Sequence, residues 1–72
     1  MTLDEAPAGV RARLLRTADA PSRRRLAELG LRPGEVVTPL HRASGGARVL
    51  AVGETRIAVA RSVLRTIEVQ AS

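Results

Sequence analysis

Apolar and polar residues alternate in several short stretches of the chain, which is the pattern of half-buried β-strands. Near the start, Val10, Ala12 and Leu14 alternate with arginines and are predicted to face the core. A second strand is predicted within residues 35–43. Pro39 lies inside that stretch, and because proline has no N–H to donate, it favours an edge strand or a bend there.

Two further apolar stretches flank a two-residue loop at 53–54 and predict a hairpin. The loop begins with glycine, as a type II′ turn prefers. In this register Leu50 opposes Ile57 and Val52 opposes Thr55. The inward face then carries Leu50, Val52, Ile57 and Val59. The outward face, which is small and apolar rather than charged, carries Val49, Ala51, Ala58 and Ala60.

The remaining C-terminal residues predict one helical turn and a last strand. Residues 61–64 are expected to form the turn, and residues 65–69 the strand, with Ile67 and Val69 facing inward. A Ser-Gly-Gly turn at 44–46 is expected to connect the second strand to the hairpin.

The stretch RRRLAELGLRPGE has the spacing of a helix rather than of a strand. Ser22, Leu26 and Leu29 recur on one helical face, which is therefore predicted to be buried. Asp19 or Ala20 is expected to be the N-cap, since the polar segment around them precedes the first helical turn.

The end of this helix is marked by glycine. Gly30 is predicted to be the first residue past the helix, with a positive φ, and Leu31 to contact Leu26 in a Schellman motif. Pro33 and Gly34 then occupy the two central positions of a predicted type II turn.

Five short strands and one helix in 72 residues predict a single, mainly β domain. They are too few for a sandwich and indicate an SH3-like small five-stranded barrel, with one short helix after the first strand. We expect residues 9–70 to form this domain and the polar residues 1–8 to be an N-terminal lead-in. Leu26 and Leu29 are expected to cover one end of the barrel.

The composition argues against most kinds of chemical site. The chain has no cysteine, which excludes disulfides and thiolate metal sites. His41 is the single histidine and the seven carboxylates are scattered, so no metal site, cofactor site or acid–base pair is predicted. We therefore expect no catalytic residue and no enzyme activity. No apolar run approaches the ~20 residues of a membrane span, so we expect a soluble, intracellular protein without membrane insertion.

The chain carries a net charge of +5, and all twelve of its basic residues are arginine. Clustered positive charge favours polyanions, but a GC-rich codon usage gives the same excess of arginine. The chain also lacks the aromatic side chains on which single-stranded nucleic acids stack, so nucleic-acid binding is disfavoured. Arg23, Arg24 and Arg25 oppose the helix dipole. They are either a solvated flank, with Arg24 paired to Glu28, or a contact for an acidic partner.

RRRLAELGLRPGEVV resembles the signature stretch of the FeoA family, ferrous iron transport protein A. In that family a basic helix ending in leucine-x-x-leucine-glycine-leucine runs into x-proline-glycine and a strand. HRASGG and GETRIAVARSVLRTIEV resemble the family's turn after the second strand and its final hairpin, so the resemblance covers residues 9–69. Pro39 and the lack of aromatics depart from the pattern. The signature residues here are Leu26, Leu29, Gly30, Leu31, Pro33 and Gly34.

The resemblance implies a cytoplasmic accessory or regulatory protein of ferrous iron uptake. Its implied partner is the FeoB permease, a membrane protein with a cytoplasmic GTP-binding domain. Two alternatives stay open: a small basic barrel that binds RNA, and a detached SH3-like regulatory domain of a metal-dependent repressor. A helix-turn-helix segment just upstream in the same reading frame would favour the repressor.

A protein-docking surface is predicted from two features without an evident structural reason, the helix arginines and the apolar outer face of the hairpin. The partner is expected to be the permease or a second copy of the chain. The residues of this surface are Arg23, Arg24, Arg25, Glu28, Val49, Ala51, Ala58 and Ala60.

Overall fold

Antiparallel strands form one sheet in the computed structural model, which describes residues 1–18 and 20–72. The sheet order is β4-β3-β2-β1-β5. The strands are β1 (Ala12–Thr17), β2 (Val36–Arg42), β3 (Arg48–Val52), β4 (Thr55–Val59) and β5 (Ile67–Ala71). The helices are α1 (Ala20–Glu28) and α2 (Arg61–Leu64), with a short 3-10 turn at Ser44–Gly46. The five predicted strands and the helix after β1 are thus confirmed. No ladder between β4 and β5 closes the described sheet into a barrel.

The first strand begins later than its sequence pattern predicts. Ala12 and Leu14 are buried as expected, but Val10 is exposed and precedes β1. The backbone turns at Gly9, whose φ is +78° and whose N–H donates to the carbonyl of Pro39 at 2.8 Å. The prediction for Val10 was therefore wrong, because the alternation of the strand does not extend back through this turn.

The end of α1 follows the predicted Schellman geometry. The N–H of Leu31 donates to the carbonyl of Leu26 at 2.8 Å, and that of Gly30 to the carbonyl of Ala27 at 3.0 Å. Gly30 has a φ of +85°. Leu26 and Leu31 are both buried in the same core cluster, as the apolar contact of the motif requires. The following type II turn is also formed, with a φ of +93° at Gly34.

Leu29 does not join the core, contrary to the sequence prediction. It follows the last helical residue and is 48% exposed. Leu31, brought back by the Schellman turn, occupies the buried position beside Leu26 instead. At the other end of α1, Ala20 is already helical rather than an N-cap, and Asp19 lies outside the described residues.

Pro39 lies in the middle strand of the sheet, so the prediction of an edge was wrong and that of a bend was right. The pairing of β2 with β3 shifts register between Pro39 and Arg42. The carbonyl of Pro39 faces Gly9 rather than β3. Because the N and C=O of one strand residue point to the same side, the missing N–H also faces away from β3. No hydrogen bond of that ladder is lost.

The hairpin has the predicted register, with Leu50 opposite Ile57 and Val52 opposite Thr55. Gly53 has a φ of +60°, and no described non-glycine residue has a positive φ, which fits a type II′ loop. The inward face is buried or packed against the core, as predicted.

The segment before Gly9 contributes to the core, although its sequence predicts only a polar lead-in. Leu3 and Ala6 are buried. The N–H of Leu3 donates to the carbonyl of Ile67 at 2.9 Å, and the carbonyl of Met1 accepts from Val69 at 2.9 Å. These bonds cover the outer edge of β5.

Arg48 is a buried cation that holds this segment in place. Its side chain is on the inward face of the hairpin, and the residue is 5% exposed. The Arg48 guanidinium donates to the backbone carbonyls of Leu40 at 3.2 Å, Leu3 at 3.1 Å and Asp4 at 3.4 Å. Burial lowers the pKa of Arg48.

Asp4 is the centre of a cluster of ion pairs. Its carboxylate lies 2.7 Å from Arg42 Nη1, 3.3 Å from Arg61 Nε and 3.7 Å from Arg65 Nε, and its side chain is 11% exposed. The hydrogen bond from Arg42 is the main cause that lowers the pKa of Asp4, and the bond from Arg61 adds to it.

These contacts predict that Asp4 makes the stability of the domain depend on pH in the acid range. Because the folded-state pKa of Asp4 lies below its ordinary value of 3.8, its ion pairs contribute fully above that value. Their contribution is lost as the pH falls through the folded-state pKa. In urea unfolding between pH 6 and 2, Asp4→Asn should flatten the fall in stability. Glu54→Gln, in the exposed hairpin loop, should retain it; an unchanged profile in Asp4→Asn would contradict the prediction.

Candidate functional site

A groove lies between α1 and the end of β4, with a volume of about 400 Å³. We call it the α1–β4 groove. One wall comes from α1 and the residue after it, and the other from β4 and the start of α2. Its lining residues are Ser22, Arg25, Leu26, Leu29, Ala58, Val59, Ala60 and Val63.

The groove is apolar because of how the two walls are built. The Schellman turn diverts the chain after α1, which leaves Leu29 at the rim with about half of its surface exposed. On the opposite wall Ala58 and Ala60 have small side chains and are exposed, whereas Val59 faces the core. Because the side chains of Ala58 and Ala60 are small, the partly buried Val63 also lines the groove with apolar surface.

Positive charge lies at the edges of this apolar surface. Arg25 lines the groove itself. Arg24 faces a neighbouring hollow of α1 together with Glu28, and Arg23 lies with Arg32 beside the turn after the helix. Among the ion pairs of the described residues, none joins Arg24 to Glu28. All three helix arginines are exposed, and the predicted cluster is spread over more than one face of α1.

The outer face of the hairpin is partly as predicted. Ala58 is exposed, while Val49 and Ala51 are half-buried. Arg56 is registered opposite Ala51 and is exposed, so this face carries a cation that was not among the residues predicted for it. Ala60 lies outside β4 and is the N-cap residue of α2.

The structure therefore brings together some of the predicted docking residues and not others. Arg25, Ala58 and Ala60 line one groove. Leu29, assigned to the core from its helical spacing, belongs to the groove instead. The signal that could have revealed this was its position directly before Gly30, where the helix has already ended.

No metal centre is evident in the part of the chain that the structure describes. No group of three or more His, Cys, Asp or Glu side chains there is placed to hold a metal ion. His41 is exposed near the end of β2. Within the same residues, no helix is long and apolar enough to cross a membrane.

Solved structures with a similar fold include two FeoA proteins. The solution structure of FeoA from Chlorobium tepidum is 32% identical, with a TM-score of 0.87 over 99% of this chain and 70% of that chain. The crystal structure of FeoA from Stenotrophomonas maltophilia with zinc is also 32% identical, with a TM-score of 0.81 over 97% of this chain and 89% of that chain. The latter is described as a procaryotic SH3 domain protein, which agrees with the SH3-like class predicted from the sequence.

The fold is shared with transcriptional regulators as well. MtsR, a metal-dependent transcriptional regulator, is 18% identical, with a TM-score of 0.84 over 99% of this chain and 36% of that chain. At this identity the likeness concerns the fold alone. A search of curated proteins found no match.

The model of the FeoA domain matches residues 1–71, nearly the whole chain, and includes the N-terminal segment that packs on β5. The helix stop, the turn after it and the hairpin register are the elements through which the sequence resembles that family. This chain belongs to the FeoA domain family, whose members are associated with ferrous iron transport.

Proposed function

We propose that this chain is a cytoplasmic accessory protein of ferrous iron uptake that docks onto the cytoplasmic part of a FeoB-type GTPase permease. The observation that carries the proposal is the α1–β4 groove, which joins an apolar surface to an arginine. Membership of the FeoA family supplies the transport context. The S. maltophilia protein, proposed to act as a ferrous iron transport activating factor, supports a role in activation rather than in carrying iron.

The groove has the composition of a protein-docking site. Leu29, Ala58 and Ala60 expose apolar surface that a partner could bury, and Arg25 stands at its edge. Buried apolar contacts supply much of the affinity of a protein interface, while charges at the rim mainly set the rate of association. A site for RNA would instead need phosphate contacts spread along a strand, with stacking surfaces that this chain lacks.

The positive charge of the chain indicates that the partner's surface is negatively charged. With a net charge of +5 and three exposed arginines in α1, the domain should associate fastest with an acidic surface. The proposed role of the helix arginines differs from that of the apolar groove residues. The arginines would accelerate the encounter with the partner, and the apolar residues would slow dissociation.

Reversing Arg24 and Arg25 to Glu together should slow association with the purified cytoplasmic part of the permease by roughly tenfold at low salt. The dependence of the association rate on salt should flatten, because fewer attractive charges remain to be screened. Stopped-flow mixing at several NaCl concentrations measures both effects. Unfolding midpoints should change little, since both side chains are exposed.

The matched control reverses Arg11 and Arg16, which are exposed and do not line the groove. It changes the net charge by the same amount. Equal slowing in both double variants would mean that net charge alone acts, and the proposed docking surface would be wrong. Binding of RNA that is lost only in Arg24→Glu/Arg25→Glu would favour the RNA-binding alternative.

A further inference from the structure

The two outer strands of the sheet differ in whether their outer edges are paired. The edge of β5 is covered, because residues 1–3 exchange backbone hydrogen bonds with Ile67 and Val69. The other outer strand, β4, is paired with β3 on one side, and no described segment is paired with its second side. An open strand edge is a template for pairing with another chain, and proteins usually block it.

The register of the hairpin shows which backbone groups lie on this open edge. In a two-residue hairpin the residues that flank the loop form a hydrogen-bonded pair, and bonded and non-bonded pairs then alternate. Val52 and Thr55 flank the loop, so Arg56 and Ala58 belong to non-bonded pairs with β3. Their N–H and C=O groups point outward, and no hydrogen bond joins these groups to another described residue.

This edge borders the α1–β4 groove, since Ala58 and Val59 line it. An added strand would lie about 4.8 Å from β4, the usual spacing between strands. Its side chains would then lie against the exposed rim residue Leu29 and beside Arg25. The edge supplies backbone hydrogen bonds, and the groove wall supplies apolar and charged contacts for side chains, which is the combination used in β-strand addition.

The charges decide between two possible occupants, a second copy of this chain and a different protein. Pairing of two β4 edges would bring both copies of Arg56, and the nearby Arg25 residues, into one interface between two molecules that each carry +5. Like charges facing each other across paired strands are destabilising. An acidic segment would instead be attracted by the same two arginines.

We propose that the outer edge of β4 binds an extended, acidic segment of a partner protein as a sixth strand, through the backbone of Arg56 and Ala58. This deepens the proposed function, on which it rests for the identity of the partner, by naming the form of the segment that the partner presents. The predicted segment is a strand rather than a helix, with carboxylates placed to reach Arg25 and Arg56.

The first test uses synthetic peptides and does not require the permease. The probe is a capped nonapeptide of alternating glutamate and valine, titrated into the ¹⁵N-labelled chain and followed by NMR. The amide signals of Arg56 and Ala58 should shift most. A lysine–valine peptide tests the charge requirement, and the acidic peptide with D-valine tests the strand requirement, since it keeps the charge but cannot form a regular ladder. With either control peptide, these signals should shift by no more than a small fraction of the shift that the acidic peptide causes.

Several results would overturn the proposal. The first is no shift at Arg56 and Ala58 with the acidic peptide. The second is an equal shift with its D-valine form, which would show that charge acts without a strand. The third is a response centred on the arginines around Asp4 instead of β4. A dimer of the unliganded chain in sedimentation equilibrium that Ala58→Pro abolishes would identify a second copy as the occupant.

The second test removes one edge donor from the chain itself. Ala58→Pro deletes an N–H that makes no bond to β3, and proline is tolerated on edge strands, so the fold should be retained. Ala58→Val keeps the N–H and is the matched control. Affinity for the cytoplasmic part of the permease should fall about tenfold in Ala58→Pro, roughly the worth of one hydrogen bond, and change little in Ala58→Val.

The two tests separate this inference from the docking proposal. If the permease binds wild type and Ala58→Pro equally and the peptides fail, the edge inference is wrong while docking stands. If the acidic peptide binds the β4 edge but the permease does not bind the wild-type chain, docking to the permease is wrong while the edge inference stands. Should Ala58→Pro fail to fold, the peptide titration still decides.

Discussion

Leu26→Gln should lower the free energy of unfolding by about 2–5 kcal/mol, which is enough to unfold a domain of this size. Leu26 is 3% exposed, and its contact with Leu31 closes the Schellman motif that ends α1. Glutamine would place an amide in this buried site and lose the apolar contact. Because the chain has no aromatic residue, urea unfolding is best followed by far-UV circular dichroism.

Leu29→Gln is the matched control, since it makes the same change three positions along the chain at a residue that is 48% exposed. Its stability should stay within about 0.5 kcal/mol of wild type, as is usual at surface positions. If Leu26→Gln kept the wild-type unfolding midpoint, the assignment of Leu26 to the core would be wrong.

Arg48→Met should also destabilise the domain strongly, although it replaces a charge with an apolar side chain of similar length. Replacing a buried polar pair by apolar residues can be neutral when both partners are removed. Here the acceptors are the backbone carbonyls of Leu3, Asp4 and Leu40, and they remain. The carbonyl of Asp4 still accepts from Arg42, but those of Leu3 and Leu40 lose the guanidinium. Each buried carbonyl left without its donor costs about 1–3 kcal/mol, so the loss should be comparable with that of Leu26→Gln.

The measurement is again urea unfolding, with proteolysis of residues 1–8 as a second readout. Loss of Arg48 should make this segment susceptible to cleavage, because two of the three acceptors belong to it. Arg11→Met, at an exposed position, should alter neither quantity. A variant Arg48→Met as stable as wild type would show that water or another donor replaces the guanidinium.

Local sequence rules predicted the parts of the fold that depend on neighbouring residues. The glycine that ends α1, the Pro33–Gly34 turn and the glycine-led hairpin loop each follow from the φ that the position requires. Once the loop at 53–54 is fixed, the hairpin register follows without any tertiary information. The SH3-like class could be inferred from the number and lengths of these elements.

The errors and omissions arise where distant segments meet. The burial of Leu3 depends on its contact with β5, and that of Arg48 on carbonyls more than forty positions away in sequence. No period in the sequence reports such contacts. For Pro39 an edge was predicted beside a bend because the rule for proline concerns one side of a strand, and the sequence does not say which side is unpaired.

The candidate site was predictable in some of its members but not in its arrangement. Arg25 and Ala58 were both selected from the sequence, each for a reason local to its own element. That they line one groove depends on how α1 packs beside β4. Leu29 and Arg56 were left out because one was assigned to the core by helical spacing and the other was treated as one more surface arginine. The open edge of β4 could be recognised only from the sheet order.

β2 pairs with β1 and with β3 along different parts of its length, and this affects how the hydrogen bonds of the sheet can open. Residues Val36 and Val37 are registered with β1, whereas the registered partners of β3 begin at Thr38. The four ladders of the sheet therefore form two groups that share β2: β2 with β1 and β1 with β5 in one, and β2 with β3 and β3 with β4 in the other. Each group can lose its hydrogen bonds while the other stays closed, so amide protons should exchange with solvent in two groups. A partner strand on β4 would slow exchange in the hairpin group first and leave the β1–β5 group at its own rate.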